Sequence, residues 1–405
     1  MTSVAEIHTE LKSVIIEDVE SNKEKYISTS HSIHQKPEIG NEEFFASELL
    51  SGILEEEGFQ VERAVAGHET SFLARKKSET PGPVIAFLAE YDALPGLGHA
   101  CGHNIIGTTS VGAAIALSKV LNTTGGEVVV LGTPAEEGGP NGSAKGSFVK
   151  HGLLKGIDAA MMVHPANSTR VTSTSLAVDP LDFEYHGVPA HAAASPHEGV
   201  NALDAVIQLF NGINALRQQL TDDVRIHGII THGGDAPNII PEYAKARFFI
   251  RAASRSTLNE VTKKVKAVAE GAALATGAAL NVVAFQNEVD NLLLNKTFDR
   301  VFTEVIKQFG ETVDLNDREG LGSTDAGNIS QVVPTIHPFI KIGPENLVGH
   351  TVPFREASAS PQGDEALIKG AKALALTGLK LLTDHQLLSA IKEEFLERKL
   401  EQDGK

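Results

Sequence analysis

Near the start of the chain, apolar residues recur at helical spacing (Val4, Ile7, Leu11, Val14, Ile15, Val19), with Ser3 placed to cap them. A second helix is predicted from about Glu42 to Glu57, closing at Gly58, a residue suited to the left-handed position at a helix end. Continuous apolar runs follow at Val84–Ala89, Glu127–Leu131 and Ala159–Val163, separated by helical stretches at Ile105–Leu121 and Ala144–Leu154. Short apolar strands alternating with helices predict a mostly parallel sheet covered on both faces. Near residue 178 the pattern changes to strand Leu181–His186, helix Asn201–Leu216, strands Val224–Thr231 and Tyr243–Ala252, helix Ser256–Thr276 and strand Leu280–Phe285. That order is β-α-β-β-α-β, a split βαβ unit able to form a small domain. The first pattern then resumes and ends in helices at about Asp364–Leu382 and Gln386–Leu400. The predicted fold class is α/β: a mostly parallel-sheet domain, residues 1–178 and 290–405, interrupted by a smaller α+β, ferredoxin-like domain, residues 179–289.

Composition adds exclusions. With 41% hydrophobic and 21% charged residues and 37 glycines in 405, the chain has ordinary globular usage, not that of a collagen or a disordered chain. Its 35 basic and 52 acidic residues leave a net charge of −17, which repels phosphate backbones and anionic lipid, so neither nucleic acid nor a membrane surface is an expected partner. Cys101 is the single cysteine, so no intramolecular disulfide forms. No run of about 18 apolar residues occurs, and the first thirty residues carry acids throughout rather than a basic start and an apolar stretch. A soluble, cytoplasmic protein is expected.

Candidate chemistry gathers at the ends of the predicted strands. Gly98-His99-Ala100-Cys101-Gly102-His103 follows the first of them, and a thiolate and an imidazole two residues apart at a strand-to-helix turn can converge on one ion. The next strand runs into Ala135-Glu136-Glu137-Gly138, where adjacent carboxylates repel unless a cation or hydrogen bonds hold them. One acid could coordinate the ion while the other faces its water. The third strand ends at Val163-His164-Pro165, and Gly349-His350-Thr351 offers another imidazole downstream. Taken singly, each has a bland reading: a buried cysteine beside a loop histidine, a solvated acidic loop, a core histidine. Mixed Cys, His and Glu donors suit Zn(II), Mn(II) or Co(II), a thiolate favouring zinc. Five ligands exceed one tetrahedral site, which points to two ions sharing a bridge, and the Cys101 thiolate could supply it. No Gly-x-Ser-x-Gly elbow, P-loop or Gly-x-Gly-x-x-Gly fingerprint is present.

As a set, Cys101-Gly102-His103, Glu136-Glu137, His164 and His350 resemble, in kind and order, the aminoacylase and glutamate-carboxypeptidase family of di-metal amidohydrolases. The likeness is greatest to the branch holding auxin-conjugate hydrolases, p-aminobenzoyl-glutamate hydrolase and β-alanyl-lysine dipeptidases, and it runs from His34 to about Leu382. It implies that Cys101 bridges two divalent ions, that His103, Glu137, His164 and His350 complete their coordination, and that Glu136 is the general base acting on a water between the ions. The sequence departs from the wider family at Glu90-Tyr91-Asp92, where many members have His-x-Asp with a ligating histidine. Asp92 is then at most an orienting partner, or a plain structural acid.

Gly187-Val188-Pro189-Ala190-His191 resembles the family's lid motif, implying that His191 donates to the oxyanion, from its own or a partner subunit. Asn238 and Arg251 match positions that hold a substrate's free carboxylate. Ser323-Thr324-Asp325, where relatives often carry Glu-Asp, is assigned no catalytic role. His8, His68, His151 and His385 read as surface residues. The resemblance implies hydrolysis of the amide bond of a small N-acyl amino acid or dipeptide, by a homodimer joined through the inserted domain. The alternatives are a metal-bound binding paralogue without turnover, and hydrolysis of a carbamoyl or amidine C–N bond.

Overall fold

A computed structural model describes residues 4–316 and 322–403; Ser3 lies outside the described residues. The chain forms two compact units, one from the segments up to Thr174 and from Leu292 onward, the other from Ser175–Asn291 with 322–324.

In chain order the strands are β1 (Gln60–Arg63), β2 (Phe72–Lys77), β3 (Val84–Ala89), β4 (Glu127–Gly132), β5 (Ala159–Met161) and β6 (His164–Ala166). They continue with β7 (Ala177–His186), β8 (Arg225–His232), β9 (Tyr243–Ala252), β10 (Ala279–Ala284), β11 (Thr335–Ile336) and β12 (Phe339–Lys341). The α-helices are α1 (Val4–Ser21), α2 (Lys23–Gln35), α3 (Phe44–Glu56), α4 (His103–Ser118), α5 (Leu121–Thr124), α6 (Ala144–Lys150) and α7 (Ala202–Leu216). After them come α8 (Arg255–Thr276), α9 (Lys296–Ile306), α10 (Ala326–Ser330), α11 (Val352–Ala357), α12 (Pro361–Thr383) and α13 (His385–Asp403).

In the first unit the sheet order is β1-β2-β4-β3-β5-β11, with β4, β3, β5 and β11 mutually parallel and β1 and β2 antiparallel additions at one edge. The alternation of a strand explains the layers. Ile85, Phe87 and Ala89 of β3 join a core with α1, α4 and α12, while Ala86 and Leu88 face a second core with Ala144, Phe148 and Ala326. Such strands are apolar on both faces, which is why they read as continuous runs. All 16 residues of α4 are buried, and Gly107 lets the helix press against the end of β3, since a Cβ there would stand 2.6 Å from the Glu90 carbonyl oxygen.

In the second unit the order is β10-β7-β9-β8, antiparallel throughout. β9 alternates partly exposed and buried residues, and Ala244, Ala246, Phe248 and Ile250 pack in one core with Val206 and Leu209 of α7 and Leu258 and Val265 of α8. Asn201 caps α7 by accepting the Leu203 and Asp204 N–H groups, and Ser254 caps α8 through the Thr257 N–H.

Candidate metal centre

Because β4, β3 and β5 lie side by side and parallel, their carboxyl ends share one rim, the usual location of ligand sites in such sheets. Each end delivers part of the site. After β3 come Glu90 and Asp92, and a turn through Cys101 and Gly102 opens α4 at His103. β4 leads to Glu136 and Glu137, and β5 leads to His164. Gly102 has φ 80°, and a Cβ there would stand 2.8 Å from Pro165 Cγ, so only glycine lets the Cys101–His103 turn close on the His164–Pro165 segment.

Two other donors sit on left-handed backbone or directly after it: His350 has φ 60°, and Ala135, preceding Glu136, has φ 57°. Non-glycine residues hold this conformation where their surroundings over-determine it. The His350 N–H donates to the Ala100 carbonyl at 2.9 Å. The Ala135 N–H donates to Glu43 Oε1 at 2.8 Å, while Glu43 Oε2 accepts the Thr70 hydroxyl at 2.7 Å.

Three donor trios have ligand atoms within 4.8 Å of one another: Cys101, His103 and His164; Cys101, Glu137 and His350; and His103, Glu136 and Glu137. The first two share the Cys101 sulfur. Hydrogen bonds on the far side of each ring set the inward nitrogen. His103 Nδ1 donates to Asp92 Oδ1 at 2.8 Å, leaving Nε2 buried and without a hydrogen-bond partner. His164 Nδ1 donates to the Pro165 carbonyl at 2.7 Å, and its Nε2 lies 3.5 Å from Cys101 Sγ. His350 Nε2 lies 3.3 Å from Glu137 Oε1, and the Glu137 N–H donates to Asp92 Oδ2 at 2.9 Å.

Electrostatics agree with a cation-binding cradle. Burial holds His164 down to about 3, helped by neighbouring His337 and His103, so its imidazole is neutral and has a lone pair to give. Burial also raises the Cys101 thiol, with Glu137 adding to it, and raises Glu136, with Glu90 and Glu137 adding to it. For Glu137 burial acts upward too, but the hydrogen bond from His350 and the charge of His103 outweigh it and the carboxyl is lowered. An orphaned buried imidazole nitrogen beside a thiol and crowded carboxylates is chemistry that divalent cations resolve. Cys101, His103, Glu137, His164 and His350 are the residues that would hold them.

The remaining predicted site residues lie in the second unit. His191 Nδ1 accepts the N–H groups of Ala193 and Ala194 at 3.2 and 3.1 Å, which leaves the ring proton on an outward Nε2. His191 bridges to Ile239 and the Ala192 N–H donates to the Asn238 carbonyl at 3.0 Å, so Asn238 is its neighbour across the ladder. Arg251, near the end of β9, donates to Ser323 Oγ at 2.9 Å.

Sequence reasoning left several members of the rim without a role or missed them. Glu90 and Asp325 both flank the buried Lys145 ammonium, at 2.7 and 2.6 Å. Asp325, assigned no catalytic role from the sequence, is therefore a buried ionic partner. His337, 4% exposed and with neither ring nitrogen hydrogen-bonded, has its ring 5.3 Å from that of His164. A signal for it existed: Ile336-His337-Pro338 after β11 repeats Val163-His164-Pro165 after β5, and the two strands are parallel partners. His68, expected at the surface, is instead buried at 2% exposure, with Asn41 at 2.7 Å and Ser147 at 2.9 Å on its two ring nitrogens.

Comparison with known proteins matches residues 181–276 to a peptidase dimerisation domain. An Xaa-Arg dipeptidase of Mus musculus is 37% identical over 411 residues, covering 97% of this chain and 94% of that protein. One of the subunits of p-aminobenzoyl-glutamate hydrolase from Escherichia coli (strain K12) is 34% identical, covering 76% of this chain and 67% of that protein. Among solved structures, a dinuclear metal binding peptidase of the M20 family from Bacillus subtilis superimposes with a TM-score of 0.61 at 20% identity, covering 89% of this chain and 99% of that one. With that extent of likeness to named hydrolases, the chain belongs to the M20 family of peptidases and is a metal-dependent amidohydrolase.

Proposed function

We propose that the enzyme hydrolyses the amide bond of small dipeptides or N-acyl amino acids bearing a free carboxylate, with Glu136 as general base. The observation that carries this is the pair of donor trios sharing the Cys101 sulfur, with Glu136 in neither of them but still at the rim. Two divalent ions held by Cys101, His103, Glu137, His164 and His350, zinc being favoured by the thiolate, supply polarisation of the scissile carbonyl and acidification of water when bound. Glu136 accepts the proton of the attacking water and passes it to the leaving nitrogen. Its buried position and neighbouring carboxylates raise its proton affinity, which suits the second of those tasks.

His191, with its proton on Nε2, is the proposed donor to the oxyanion, worth roughly 2.7–4 kcal/mol in comparable sites. Asn238 and Arg251 are the proposed anchors for the carboxylate, whose capture fixes the reacting geometry. The similarity to Xaa-Arg dipeptidases makes dipeptides with a C-terminal arginine the first substrates to try, and a net charge of −17 favours cationic ones. We further propose a homodimer through β8, an edge strand whose Ile229 and Ile230 are 63% and 45% exposed. We place it in the cytoplasm, consistent with a lone cysteine; no helix among the described residues is long and apolar enough to cross a membrane.

The deciding experiment is Glu136→Gln assayed on a panel of Xaa-Arg dipeptides and N-acyl amino acids. Turnover is expected to fall by about 10²–10⁴ while metal content per chain stays at the wild-type value. Full turnover in the variant would remove Glu136 from the chemistry.

A further inference from the structure

Lys145 is fully buried at the start of α6 and spans two carboxylates, with Nζ 2.7 Å from Glu90 Oε1 and 2.6 Å from Asp325 Oδ1. Asp325 is held twice, because its Oδ2 also accepts the Lys145 main-chain N–H at 3.1 Å. Glu90 has no such second hold. Neither Glu90 oxygen has a hydrogen-bond partner, so the Lys145 ion pair at Oε1 is its hold, and Oε2 stands 3.5 Å from His103 Nε2, the ring nitrogen turned toward the donor set.

A buried carboxylate so placed is a rival ligand, because carboxylate oxygens bind hard and borderline divalent cations readily. Glu90 nevertheless belongs to none of the three donor trios. If it joined them, it would add negative charge to ions whose use is to withdraw electrons from a carbonyl, and would fill a position that a catalytic site leaves open for substrate. The pairing with Lys145 prevents this by giving Oε1 a fixed cationic partner. The local charges point the same way: Glu90 and Asp325 share one ammonium, so loss of that ammonium would leave Glu90 with no cation except the ions, whereas Asp325 would keep its main-chain hydrogen bond.

From this arrangement we propose that Lys145 is a positioning residue that holds Glu90 out of the metal donor set. The proposal rests on the two-ion reading of the centre. Its test strips the protein with a chelator, reloads it with cobalt(II), and records the visible ligand-field bands and the cobalt affinity of four proteins: wild type, Lys145→Met, Glu90→Gln and the double variant. In Lys145→Met the released Glu90 should weaken the bands, as an added ligand does, and tighten cobalt binding by roughly tenfold or more. Glu90→Gln and the double variant should both show the wild-type bands. That rescue separates positioning from simple structural damage, which a second substitution would not repair.

Unchanged bands in Lys145→Met would overturn the proposal. Altered bands in Glu90→Gln would overturn it differently, by showing that Glu90 is already a ligand. Should Lys145→Met fail to fold, the double variant still decides, since bands unlike those of the wild type would refute the proposal. A wild-type protein that binds no cobalt would instead refute the two-ion reading, and this inference with it.

Discussion

Asp92 divides its oxygens between two groups that face the candidate ions. Oδ1 meets His103 Nδ1 at 2.8 Å and Oδ2 accepts the Glu137 N–H at 2.9 Å. The first bond fixes the tautomer that turns a lone pair inward, and the second fixes the backbone that carries a carboxylate donor. An asparagine keeps the shape but has an acceptor on one side only, so it must lose one of these bonds. Asp92→Asn is therefore expected to weaken metal affinity by about 10–100-fold in a competitive chelator titration, with the circular dichroism spectrum unchanged. Unchanged affinity would show that neither bond matters to the ions. Asp92 also marks how far single residues were legible. Donors carried on short glycine-rich motifs stood out in the sequence, whereas Glu90, Lys145 and Asp325 did not, because their meaning is a mutual pairing across 235 positions from Glu90 to Asp325.

Within the smaller sheet one buried acid pairs with two cations of the neighbouring strand. Asp182 of β7 lies directly opposite Arg247 of β9, is only 3% exposed at its side chain, and contacts Arg247 at 2.7 Å and Lys245 at 2.6 Å. Burial pushes its carboxyl upward, but the hydrogen bonds and charges of Arg247 and Lys245 win and hold it below its ordinary value. A carboxyl lowered in the folded state contributes stability that is full above the unfolded value, ~3.9, and is lost as pH falls through the native one. Asp182→Asn should thus cost about 1 kcal/mol at pH 7, discounted for the exposure of Arg247, and the gap in Tm from wild type should close in strongly acid solution. A gap that persists in acid strong enough to protonate Asp182 in the folded state would assign the effect to packing rather than charge.

The same sheet was well legible in the sequence. β9 occupies the predicted Tyr243–Ala252, and α7 and α8 begin within one residue of expectation, because strong alternation marks the strand and helical spacing of apolar residues marks the helices. Elements without such signals were missed or overrun. On the face that α2 buries, Thr29 and Ser30 stand between Tyr26 and Ile33, so its apolar stripe is interrupted. The apolar run at Ala159–Val163 ends as a strand at Met161 because the chain changes partners, and from His164 it pairs with β12 instead. α6 stops at Lys150, short of the predicted Leu154, ahead of left-handed Gly152.

From across the whole chain, six carboxylates gather where the ions are expected. The net charge is −17, and the rim buries Glu43, Glu90, Asp92 and Asp325 with Lys145, beside the less deeply buried Glu136 and Glu137. Carboxylates so placed repel one another, and the left-handed backbone at Ala135 and His350 stores further strain. Cations bound to the native state alone offset both, by RT ln(1 + [L]/Kd), about 2.7 kcal/mol at a hundredfold excess over Kd. Chelation should therefore lower the Tm and do so locally. Amide hydrogen exchange is expected to quicken in residues 98–104, 133–143 and 349–351, which join the donors to the sheet, while the β7–β9 ladder keeps its protection. β7 and β9 rest on their own core with α7 and α8, and carry none of the proposed metal donors. Readdition of zinc should reverse the change, and acidification that protonates the donors should reproduce it. Exchange that rises equally in both units, or in neither, would mean that the ions do not organise this rim.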